Sequence, residues 1–175
     1  MEAAAKVDAV CLSVSHARVA KAPHDEAYLG PYGFAGDRHE AEFRRSKDGE
    51  LRPNHRQWSA VSSEEVAQIC ESMGVAAFAP GEMGENLRLA GLRLADVPAG
   101  TVLEAPSGAR LLVSGRNDPC ANAARELSQK YGPVVGHDFV KQAYGLRGIV
   151  GTVLEAGVVR AGDELRVLLA EPAVP

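Results

Sequence analysis

The sequence predicts a mainly β fold with peripheral helices, of the α+β class. Three observations carry that prediction. From Glu85 onward, short apolar or alternating runs ("ENLRLAGLRL", "GTVLEAP", "ARLLVSG", "GIVGTVLEAG", "DELRVLLAEP") are separated by Gly, Pro and Asp turns. Ala-Gly pairs recur at Ala99-Gly100, Ala156-Gly157 and Ala161-Gly162, as hairpins and barrel corners require where φ is positive or two backbones come close. Two stretches carry helix-start signals. Short strands at this spacing point to a barrel or a sandwich.

Taken in order, Val7 to Val14 alternates loosely and reads as a first strand, with Cys11 inside it. His16 to Asn54 reads as a long irregular segment, and loops of that length tend to be functional or mobile. "SSEEVAQICESMG" is the clearest helix. Ser62 can cap it, Glu65 completes a capping box, and Gly74 suits the position after its end. Val66, Ile69, Cys70 and Met73 share one face, so Cys70 reads as a core residue. A second helix is expected over "ANAARELSQK", with Asp118 as N-cap, Pro119 at N1 and Cys120 at N2. The tail 171–175 is expected to be loose.

The chain has 175 residues, enough for one domain over 1–175. Its net charge is −4 and its arginines are scattered along the sequence, which argues against a nucleic-acid surface. No run of about 18 apolar residues is present to span a membrane. The start lacks a long uncharged apolar region, so no signal peptide is expected. Three cysteines, Cys11, Cys70 and Cys120, do not make a disulfide scaffold and suit a reducing cytoplasm. No CxxC or HExxH pattern supports zinc.

Cys120 is the leading candidate for chemistry. At a helix start its sulfur would lie near free N–H groups and the positive end of the helix dipole. A sulfur favoured as thiolate there could act as a nucleophile, a sulfur carrier or a soft-metal ligand; the plain alternative is a small packed residue. "GFAGDRHE" offers Arg38 and His39 to an anion, or is a turn in which Asp37 bonds its own backbone. "PGEMGENL" sets Glu82, Glu85 and Asn86 between glycines, as an acid–base pair with an amide or as a structured turn. Trp58 could stack on a planar ligand but more simply packs in the core. His16, His24 and His137 read as structural or surface residues, and no lysine has a Schiff-base context.

In this order, "GFAGDRHE", "RQW" before the capped helix, "PGEMGENLRLAGLRLADVPAGTVLE", "RNDPC" and "GIVGTVLEAGVVRAGDEL" resemble a MOSC domain, named after the C-terminal part of molybdenum cofactor sulfurase. The resemblance spans about Tyr32 to Val167 and is to the small stand-alone bacterial members. It implies a MOSC-type β-barrel built around Cys120, which would carry sulfur or ligate molybdenum in the molybdenum cofactor (molybdopterin). Relatives that bind the cofactor reduce N-hydroxylated compounds. Asp37, Arg38, His39 and Asn86 are then expected around the pocket, with Arg38, His39, Arg56 or Arg116 on the cofactor's phosphate. Many members carry an arginine three residues before the cysteine; Asn117 stands there in this chain, with Arg116 one residue earlier. The implied partners are a small-molecule substrate and a separate electron-donor reductase, or a cysteine desulfurase if Cys120 carries a persulfide. The remaining alternative is a non-catalytic cofactor-handling or interaction domain. The sequence assigns no oligomeric state.

Overall fold

The structure is a computed structural model that describes residues 3–170; the tail 171–175, expected to be loose, lies outside the described residues. The strands in chain order are β1 (Ala3–Leu12), β2 (Ala22–His24), β3 (Glu26–Gly30), β4 (Gly33–Phe34), β5 (Phe43–Arg45), β6 (Leu51–Pro53), β7 (Trp58–Ser62), β8 (Leu87–Ala90), β9 (Val102–Glu104), β10 (Arg110–Arg116), β11 (Ile149–Glu155), β12 (Gly157–Arg160) and β13 (Glu164–Leu168). The helices are α1 (Ser63–Ser72), α2 (Ala121–Tyr131) and α3 (Pro133–Gln142), with a 3-10 turn at Leu94–Asp96. None of these helices is long and apolar enough to cross a membrane.

Seven strands, in the order β13-β9-β10-β11-β7-β8-β1, form a barrel that closes where β1 pairs with β13. Closure leaves no free edge in the ring. The fold is thus the mainly β barrel with peripheral helices that the sequence predicts, and a barrel rather than a sandwich. Val7, Leu89, Leu103, Leu111, Ile149 and Leu165 fill its interior, all with no exposed surface. Trp58 is also fully buried, and its indole N–H donates to the Thr152 carbonyl at 2.8 Å. It is a core residue rather than a stacking platform.

Within the ring only β7 and β8 run parallel. A parallel pair cannot be joined by a tight hairpin, so the chain crosses over through α1 and the 73–86 segment. The Ser62 hydroxyl caps α1 by accepting from the Glu65 N–H at 3.4 Å. The expected capping box is only half made: Glu65 turns away to accept from the Ala95 N–H, and Glu64 takes the Ser62 hydroxyl instead. Val66, Ile69 and Cys70 pack with Phe78, Leu127 and Phe139 in a second apolar cluster beside the barrel, which makes Cys70 the expected core residue.

Helices α2 and α3 form an excursion between β10 and β11, which are antiparallel neighbours. Its base is clasped by the Asn117 N–H, which donates to the Gly148 carbonyl at 2.9 Å. Gly148 has φ +83°, and a Cβ there would sit 1.9 Å from the Ala60 carbonyl oxygen. Only glycine fits that close approach.

Three sequence expectations are corrected. The first strand is Ala3–Leu12 rather than Val7 to Val14. The stretch His16 to Asn54 is not simply irregular but holds β2 to β6. Helix α2 starts at Ala121, with Cys120 itself as N-cap in extended conformation (φ −127°, ψ 155°). Asp118 is exposed and makes no capping bond; the residue before a proline is pushed to extended backbone, and here the extended stretch continues through Cys120. Helix α3 was not expected from the sequence at all.

Candidate functional site

A cleft of about 600 Å³ opens between the 16–19 segment, α2 and the end of the barrel. Cys120 lies on its wall, exposed, at the point where the chain leaves β10 for α2. Arg38, His39, Arg56 and Asn117 line the same cleft. These five expected residues are therefore brought together from loops far apart in the sequence.

Three other expected residues stand elsewhere. The Arg116 guanidinium donates to the Ala95 carbonyl at 2.9 Å and does not line the cleft. Asn86 is fully buried behind it: its Nδ2 donates to the Cys11 carbonyl and its Oδ1 accepts from the Ser59 N–H. Asn86 thereby ties β1 to β7. Asp37 is buried beneath the wall, where it accepts from Lys21 Nζ at 2.8 Å and from the backbone N–H groups of Ser13 and His39. Burial opposes its charge, yet the hydrogen bonds from His39 and Lys21 hold its carboxyl well below the usual range.

Arg38 lines the cleft, but its guanidinium donates to the carbonyls of Ser15, Arg18 and Val19. It builds the wall rather than presenting free donors. Glu126 on α2 completes that wall by accepting from the Val19 N–H at 2.6 Å and the Ala20 N–H at 3.1 Å. Glu82 and Glu85 are turn builders: Glu82 accepts from Ala79 N–H, and Glu85 accepts from Gly81 N–H and Arg88. The structured-turn reading of "PGEMGENL" holds.

The residue the sequence reading missed is Arg147. It is 5% exposed and lines the cleft. Its Nη2 donates to the Met83 carbonyl, while Nε and Nη1 have no partner among the described residues. Burial disfavours its charge and nearby Glu85 favours it. Donors buried without partners cost about 1–3 kcal/mol each, more when charged, so such a group calls for an anion. Ser59 adds a hydroxyl whose oxygen already accepts from the Asn86 N–H, leaving its hydrogen for a cleft ligand. Arg56 reaches Asn117, its Nη2 donating to Asn117 Oδ1 at 2.6 Å. A guanidinium thus stands at Asn117 although that position carries none. His16, expected to be a structural or surface residue, is exposed and also lines the cleft. A sequence signal for Arg147 existed: a lone arginine between glycines at the head of the fully buried run "IVG".

Comparison with known proteins gives a consistent picture. The family model for the MOSC domain matches residues 37–166. A curated relative, YuaD of Bacillus subtilis (strain 168), named for metal-sulfur cluster biosynthesis, is 39% identical over 117 residues, 65% of this chain and 61% of that protein. The chain therefore matches somewhat under two thirds of that relative's length. The crystal structure of the YuaD protein from Bacillus subtilis superposes with a TM-score of 0.93 at 30% identity, over 98% of this chain and 99% of that one. YiiM from Geobacillus stearothermophilus (TM-score 0.66, 22% identity, 95% and 75% covered) and YiiM from Escherichia coli (0.66, 18%, 99% and 73%) share the fold.

Proposed function

Because the chain belongs to the MOSC domain family, we propose that its cleft binds the molybdenum cofactor through Cys120 and reduces N-hydroxylated small molecules, with electrons from a separate reductase. One observation carries this reading: the exposed thiol of Cys120 shares a cleft with Arg147, a buried guanidinium with two nitrogens unpartnered among the described residues. A soft ligand and an unmet demand for an anion suit a group that joins a metal to a phosphate-bearing pterin. Cys120 would hold the metal. Arg147, Arg56 and the Ser59 hydroxyl would hold the phosphate or another anionic edge. Bound there, the cofactor would supply the two-electron redox chemistry. Reduction of an N-hydroxyl group takes two electrons and two protons, breaks the N–O bond and releases water. The reductase supplies the electrons, and the cleft walls built by Arg38 and Glu126 position the substrate. The reading also implies residence where cofactor and reductase meet, a reducing cytoplasm.

The test is expression in a cofactor-competent host followed by metal and pterin analysis. Stoichiometric molybdenum, lost in Cys120→Ser, is the expected result. Equal metal in both proteins overturns the role of Cys120.

A second reading is favoured by the exposure of Cys120 and by the name of YuaD. Here Cys120 is a sulfur carrier. The outer sulfur of a desulfurase cysteine persulfide passes to the Cys120 thiol, leaving a desulfurase thiol and a Cys120 persulfide. Mass spectrometry after incubation with a cysteine desulfurase would then find one added sulfur on the Cys120 peptide; an unchanged mass rejects this reading.

A further inference from the structure

Beneath the cleft wall lies a trio, two of its members buried, that neither reading employs. The side chains of Lys21 and Asp37 have no exposed surface, and Lys21 Nζ donates to Asp37 Oδ1 at 2.8 Å. The same Nζ lies 3.1 Å from Nδ1 of His39, closer than Asp37 Oδ1, which stands 3.5 Å from that nitrogen; the His39 side chain is 42% exposed and lines the cleft. Asp37 also accepts from the Ser13 and His39 N–H groups, which fixes the carboxylate in place.

An ammonium has three donors and no acceptor. A ring nitrogen bonded to it must therefore accept, and the ring's single proton must sit on the other nitrogen. We propose that Lys21 is a positioning residue that locks His39 as the neutral Nε2–H tautomer, a fixed donor toward an oxygen of the anionic cleft ligand. The ligand class is an oxyanion, and this part rests on the anion-binding reading of the cleft given above. The direct Asp37 contact favours the imidazolium, but burial and the charges of Lys21 and Arg38 outweigh it and hold the ring below the ordinary histidine range. Lys21 is pushed down by burial to about 8, which keeps it mostly charged at neutral pH. Asp37, which accepts from Lys21 Nζ and from the His39 N–H, is what allows an ammonium to be buried beside an imidazole at all.

The test is ¹⁵N imidazole spectroscopy of the full chain at neutral pH, first with no ligand. The expected result is a single His39 tautomer with Nδ1 bare and Nε2 protonated. A proton on Nδ1, an even mixture or an imidazolium overturns the proposal, whatever the cleft binds. In the variant Lys21→Met with Asp37→Asn, which removes both buried charges together, the tautomers should become mixed; an unchanged Nε2–H tautomer overturns the role of Lys21. Should that variant not fold, the wild-type spectrum still decides the tautomer. Inorganic phosphate is then titrated into the wild-type protein while the Arg147 Nε–H and His39 Nε2–H signals are followed. Both should move. Movement of Arg147 alone overturns the donor role, and movement of neither overturns the anion reading on which it rests.

Discussion

Arg147 shows how one residue can be costly alone and useful in company. It is a buried charge with two nitrogens that have no partner among the described residues. Replacing such a group with an apolar side chain of similar volume is often neutral or stabilising, by about 1–4 kcal/mol. Arg147→Met should therefore unfold at equal or higher denaturant than wild type while binding inorganic phosphate at least tenfold more weakly. A variant that loses stability and keeps its phosphate affinity would refute the assignment. The cysteines divide in the same way. Burial, with Glu85 adding to it, pushes the Cys11 thiol up to about 12, and burial also raises Cys70. Cys120 is exposed. Iodoacetamide should label Cys120 in the folded protein and reach Cys11 and Cys70 only on unfolding, as peptide mapping would show; equal labelling rates would instead favour the inert interaction domain. Asp37 governs the acid limb. Its folded carboxyl releases its proton more readily than the unfolded one, whose ordinary value is 3.8. Its contribution to stability is thus complete above that range and lost as pH falls through the folded value. In urea titrations between pH 5 and pH 2, Asp37→Asn should be less stable than wild type at the upper end, and the gap should narrow toward the lower. At this scale Cys120, His39 and Arg56 were legible because their residue types announce chemistry. The burial of Lys21 beside a partner and of Arg147 without one was not, because burial is a property of the fold; the glycines around Arg147 mark only its place in the chain.

The elements explain why those residues meet. Asn117 and Gly148 close the base of the α2–α3 excursion, so the geometry at Gly148 sets where Cys120 begins and where Arg147 ends. Gly148→Ala meets both a positive φ and the Ala60 carbonyl. It should cost at least about 2 kcal/mol, since the left-handed conformation alone costs about 1–2 kcal/mol. Gly108→Ala, where φ is +89° but the space is open, should cost only the conformational part. Similar losses in chemical denaturation at both sites would show that the close approach is not tight. The wall opposite depends on Glu126, whose carboxylate collects the Val19 and Ala20 N–H groups. The strands after Glu85 and helix α1 were legible because apolar period and caps are local signals. Helix α3 was not, since "PVVGHDFVKQ" contains glycine and β-branched residues that form helix poorly; it is held by Val135 and Phe139 packing into the helical cluster. The start of α2 was misplaced for a related reason: Asp-Pro reads locally as cap and first residue, but the chain stays extended until it has passed the cleft.

At the scale of the whole molecule, the decisive property is one that composition conceals. The net charge is −4 and the arginines are scattered along the sequence, which suggested no concentrated positive surface. The fold gathers Arg18, Arg38, Arg56, Arg125 and Arg147 around one cleft, with Glu126 as its only acid among the described residues. The β7–β11 pairing makes this possible: the two strands are antiparallel with Ser59 opposite Val150, both of which line the cleft, so Arg56 and Arg147 reach it from opposite ends of that pair. That pairing is non-local, and no window of sequence contains it. A concave, predominantly positive site in an otherwise acidic molecule focuses its field on small anions while the outer surface repels large ones. Salt should then act chiefly on ligand capture. Raising ionic strength from about 0.01 M to 0.15 M shortens the screening length from about 30 Å to about 8 Å. The association rate of a small oxyanion should fall several-fold over that range, while its dissociation rate, set by contacts with buried Arg147, should change much less. Stopped-flow measurement at the two salt concentrations separates these terms. An association rate that does not change with salt would mean that Arg147 alone holds the anion and that the other arginines serve only as walls.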